Sequence, residues 1–220
     1  FVLDAHHWGW FDALPDAGLG LGISLLCLVG LNVGLAQRHD DDAIAAQATL
    51  ILLLVGSAAG GLYGEFGVAV MIAIGTLVLH GMALLRGTGN LASLGIASSY
   101  LWVGIHALSD DWVVLGLHLV PLEDDLLTFL LMAAITGMNA VMATRFAHHE
   151  NWFSAGLHAV GVGRPGLWAV SVGLGMVGAT LSVAANRADV GYALAQVALL
   201  LVAFSGSYLT VRKVPWPALQ

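Results

Sequence analysis

Charged residues in this chain stand in short clusters, and between the clusters lie apolar stretches about as long as a bilayer is thick. A hydrocarbon core of roughly 30 Å takes about 20 apolar residues at 1.5 Å of rise per helical residue. Seven stretches meet that length: Gly18–Gln37, Ala43–Tyr63, Gly67–Leu85, Leu91–Leu108, Leu126–Thr144, Leu167–Ala185 and Val190–Val211. Composition forces the same reading. The residues are 59% hydrophobic and 10% charged, far from the roughly 45–50% and about 25% of soluble domains, and mean hydropathy is +0.87. So few charges cannot clothe a soluble fold of 220 residues. The expected fold is an all-α integral membrane protein, a single transmembrane helical domain over residues 1–220 with the lipid bilayer as its surroundings.

Basic residues stay on the cytoplasmic side of a membrane, so their distribution over alternating loops sets an orientation. Arg38, Arg86, Arg145, Arg164, Arg212 and Lys213 fall on one side of the seven expected spans, and Arg187 alone falls on the other. The N-terminus is therefore expected outside and the C-terminus in the cytoplasm, in a prokaryotic plasma (inner) membrane. The opening FVLDAHHWGWFDALPDAG has no positively charged n-region and does not read as a signal peptide. Trp8, Trp10, Phe11, Trp112 and Trp216 flank the spans where aromatic rings sit at headgroup level. Two segments are left over. Residues 112–122 are too short to cross and are expected as a re-entrant or interfacial half-helix. Residues 146–165 are expected as an inner interfacial segment, with Phe146, Trp152, Phe153 and Leu157 on its apolar side.

Several functions are excluded by residue counts. Fourteen acidic residues against seven basic ones give a net charge of −7, so no surface invites nucleic acid. Cys27 is the sole cysteine, which rules out an intramolecular disulfide and a cysteine-built zinc site. Seven helices with an outside N-terminus suggest a check for retinal, but the only lysine, Lys213, lies beyond the last span. Gly161, Gly163 and Gly166 match G-x-G-x-x-G without the strand that a dinucleotide fingerprint requires. Gly56 and Gly60 form a small-xxx-small pair suited to close helix packing; other membrane subunits or a homo-oligomer are the expected partners. Arg38, Asp40, Gln47, Leu50 and Leu52 recur at constant offset as Arg187, Asp189, Gln196, Leu199 and Leu201, a pattern that an inverted repeat or chance between Leu-rich helices would produce.

Ionisable groups in or beside spans cost about 2.5–3.5 kcal/mol at a helix centre on insertion scales, so they carry the functional expectations. The outer ends gather His7, Glu65, His106, Asp110 and His118, with His106 and Asp110 one helical turn apart. Imidazole with carboxylate suits copper, zinc or iron. These five residues are the expected ligands of a transition-metal site, in a subunit of a redox or oxygenase complex. Solvated helix ends are the plain alternative. A second reading is a transporter or channel for protons or small cations, with the acids as a vestibule and His80 on the path. Every Asp and Glu lies at or beyond an expected helix end, which weakens a proton relay. A third is a non-catalytic structural subunit. His80, in TLVLHGMALL, is expected to bond a neighbouring helix or a backbone carbonyl. His148, His149, Glu150 and His158 read as solvated residues or as an inner metal site.

Overall fold

The computed structural model describes several positions within 24–35, all helical, and residues 42–60, 63–109, 112–114, 117–161, 163–185 and 190–211. Helices α1 (Asp42–Gly60), α2 (Gly64–Arg86) and α3 (Gly89–Leu108) are followed by strands β1 (Val113–Val114) and β2 (Leu117–His118), and then by α4 (Asp125–Arg145), α5 (Trp152–Ala159), α6 (Leu167–Ala185) and α7 (Val190–Val211). Among the described residues four helices are long and apolar enough to cross a membrane: Gly64–Arg86, Gly89–Leu108, Asp125–Arg145 and Val190–Leu209. The expected first span, Gly18–Gln37, lies largely outside the described residues.

Local chemistry explains where these helices stop. At the end of α2, Gly87 takes the left-handed conformation (φ 67°) and its N–H returns to Ala83 O. A side chain at that φ would be strained, and glycine adopts it freely. α3 begins two residues later, so the two helices run antiparallel as a tight hairpin. α4 starts on Asp124, whose side chain accepts from Leu127 N, and α5 starts on Asn151, whose side chain accepts from Ser154 N. Pro121 and Pro165 sit in the connections, where no helical hydrogen bond is lost.

Close contacts define two ends of the bundle. At one, Asp42 pairs with Arg86 (3.0 Å), and Gly89 lies against the carbonyl of Glu150. At the other, the start of α2 and the end of α3 meet the residues leading into α4. Leu181 on α6 touches Gly104, and Tyr100 touches Gly178 and Gly175, so α6 runs parallel to α3. Trp168 at the start of α6 donates to Ser207 near the end of α7, which makes that pair antiparallel.

Large apolar residues cover the outside of the helices as well as the core, and several polar residues are buried. Leu77, Leu101, Leu130, Leu201 and Val202 are exposed, whereas Thr76, His80, Ser99, Thr136 and Asn139 are buried. Lipid is as apolar as leucine and gives no drive to hide it, while interior polar groups hold helices together. These helices fit an integral membrane protein.

The segment 112–122 departs from the expected half-helix. Val113 pairs with His118 and Val114 with Leu117 as a small antiparallel hairpin, and residues 119–124 run on without regular structure. β-branched Val113 and Val114 favour an extended chain. The 146–165 segment contains α5, eight residues long.

Candidate functional site

Of the five expected ligands, Glu65 and His106 have described side chains. His7 and Asp110 lie outside the described residues, and of His118 only the backbone, in β2, is described. Glu65 stands in the first turn of α2, and its Oε2 accepts from the N–H groups of both Glu123 and Asp124, each at 2.8 Å. The carboxylate thus grips the main chain just before α4. His106, in the last turn of α3, is fully buried, and its Nδ1 lies 2.9 Å from Val120 O. A carbonyl only accepts, so Nδ1 carries the proton and Nε2 presents its lone pair. The His106 carbonyl accepts from Leu122 N at 3.1 Å and from the Ser109 hydroxyl at 2.9 Å. Glu65 and His106 therefore hold the same short stretch, 120–124, from two helices.

His106 Nε2 is buried and has no hydrogen-bond partner among the described residues. The Trp102 ring stands edge-on to the imidazole at 5.9 Å between centroids. An imidazole with one nitrogen fixed by a backbone carbonyl and the other free is oriented as metal-bound histidines are. Among the described residues, no three His, Cys, Asp or Glu side chains come together as a metal site.

A second polar cluster lies within the bundle. His80 on α2 donates from Nε2 to Asn139 Oδ1 on α4 at 2.7 Å. Asn139 Nδ2 donates to Ser99 Oγ on α3 at 3.0 Å, and Ser99 donates to Ile96 O at 3.1 Å. The chain of donors runs in one direction across three helices and ends on a backbone carbonyl. Next to it, the Tyr100 hydroxyl donates to Thr136 Oγ1 on α4 at 3.5 Å. His80 does bond a neighbouring helix. Its other nitrogen, Nδ1, has no hydrogen-bond partner among the described residues and faces Gly95, where a Cβ would come within 2.7 Å of it. The roles of Asn139 and Ser99 were missed from the sequence. The available signal was Asn139 itself, the one side-chain amide in the apolar run Asp125–Arg145.

No protein-family model matches this chain, and comparison with the curated proteins and with the solved structures finds no match either. What the protein does has to be argued from its own residues.

Proposed function

We propose that this chain is a metal-binding subunit of the prokaryotic inner membrane, crossing it seven times with the hairpin end outside. A transition metal is held there by His106 together with His118, Asp110, Glu65 and His7. The observation that supports this reading is the His106 imidazole, buried beside Trp102 with Nδ1 fixed by Val120 O and Nε2 without a hydrogen-bond partner among the described residues. Copper, zinc or iron fits such a ligand set, and a bound metal would polarise an oxygen ligand in an apolar setting suited to a redox or oxygenase complex.

The structural-subunit reading is favoured by one different observation, the use of Glu65 Oε2 to hold two backbone N–H groups. The transport reading has less behind it, because His80 Nδ1 is buried and has no hydrogen-bond partner among the described residues and a relay needs both nitrogens in contact with carriers.

Elemental analysis and an absorption spectrum of detergent-purified protein, with a His106→Asn variant, separate the first two readings. Asparagine keeps a donor near the Nδ1 position and so retains the bond to Val120 O, but it removes the Nε2 ligand. Wild type is expected to carry near-stoichiometric metal and the variant to bind it at least about tenfold more weakly, since even outer-shell changes cost that much. Metal-free wild type would support the structural reading, and equal metal in both would remove His106 from the ligand set.

A further inference from the structure

The end of the bundle opposite the hairpin carries a polar cavity of about 360 Å³, bounded by the α4–α5 connection, the first turn of α5 and the residues before α6. Arg164, His148 and His149 line it, and all three are exposed. Its walls are fixed by contacts that leave Arg164 and His148 out, and one of them holds the His149 ring. Asn151, 6% exposed, accepts from Ser154 N at 2.8 Å, and the Ser154 hydroxyl donates to Pro165 O, closing the far wall. The His149 ring rests edge-on against buried Phe146 at 5.0 Å. Behind the rim, the Glu150 carbonyl seats on Gly89 of α3.

A guanidinium and two imidazole rings on one rim supply N–H donors, the residue types that suit a tetrahedral oxyanion. One carboxylate, Glu150, shares the rim and sets a limit on charge attraction. A cation is disfavoured, since no described group of three His, Cys, Asp or Glu converges here. The cavity is built from the residues between the end of α4 at Arg145 and the start of α6 at Leu167, and Trp152, which opens α5, is exposed. Lipid phosphates lie at that depth, and basic pockets between helix ends receive lipid head groups.

We propose that this cavity binds a phosphate group, as presented by an anionic phospholipid head or by free phosphate. The test uses full-length protein in detergent. Native mass spectrometry would follow adducts with phosphatidylglycerol and with phosphatidylcholine, and thermal melting would follow inorganic phosphate. Arg164→Gln is the probing variant, and Arg145→Gln, at the same end but not lining the cavity, is the control for general surface charge. Phosphatidylglycerol is expected to be held about tenfold more weakly by Arg164→Gln, the loss of one charge-assisted hydrogen bond, and equally by Arg145→Gln and wild type. If melting responds to inorganic phosphate in wild type but not in Arg164→Gln while lipid adducts are indifferent, the site stands and its ligand is free phosphate. Equal weakening by both variants, or no probe distinguishing wild type from Arg164→Gln, would overturn the proposal. Matching melting temperatures of the ligand-free variants would show that the comparison is between folded proteins.

Discussion

Replacing Gly95 with valine is expected to destabilise the bundle by about 1–3 kcal/mol, the range for forcing extra methyl groups into a packed core. A Cβ at Gly95 lies 2.7 Å from both Cε1 and Nδ1 of His80, and 3.4 Å from Leu79 Cβ. Real carbon contacts do not come that close, so the imidazole would have to swing away. It is not free to do so, because its Nε2 is bonded to Asn139 at 2.7 Å and the ring is buried between helices. Either α2 and α3 separate or the bond to α4 breaks. Gly81, also on α2, has nothing within 4 Å of an added Cβ, so Gly81→Ala is the matched control. Thermal melting in a fixed detergent compares them: Gly95→Val should melt well below wild type, while Gly81→Ala should match or exceed it, because alanine is the better helix former. Equal melting of Gly95→Val and wild type would mean that α2 and α3 do not pack as described.

The second large effect is expected at Asn139. In Asn139→Leu the His80 Nε2–H loses its acceptor and Ser99 loses a donor, both within the apolar interior. Leaving buried groups unpaired costs about 1–3 kcal/mol. Interhelical hydrogen bonds in membranes average about 0.6 and reach about 1.7 kcal/mol, so a loss of about 1–2 kcal/mol is expected. Removing both partners of a buried bond is nearly neutral. The double variant His80→Leu/Asn139→Leu should therefore be more stable than the sum of the two single losses predicts. Reversible unfolding in mixed micelles measures all three, and strictly additive losses would show that the two side chains do not bond.

Much of the helical layout was legible because the length of an apolar run between charged clusters is a direct record of what must fit in lipid. Leu167–Ala185 and Val190–Val211 occur with the expected bounds, and the expected Leu91–Leu108 is met by Gly89–Leu108. Short apolar runs hold no such record. Residues 112–122 are compatible by pattern with a half-helix or a hairpin, and the β-branched pair Val113–Val114 decided for the hairpin.

Of the candidate site, the sequence places Glu65 and His106 at the same end of the bundle but does not show what each bonds to. Glu65 and His106 both stand at the hairpin end, and each spends a polar atom on the main chain of 120–124. Spacing along the chain does not show which backbone groups a loop will leave to be satisfied. The His80–Asn139 bond joins residues 59 positions apart. Only the packing of α2 against α4 brings them together, and no local periodicity encodes it.

The central claim is that the hairpin end and the arginine-bearing end face opposite sides of a membrane. Single cysteines test it directly in a Cys27→Ser background, with Val113→Cys on the hairpin and Glu150→Cys beside α5, both at exposed positions. A membrane-impermeant maleimide applied to intact spheroplasts is expected to label the cysteine at 113 at once, and that at 150 only after permeabilisation. Labelling of both from the same side, or recovery of the protein in the soluble fraction, would contradict the account.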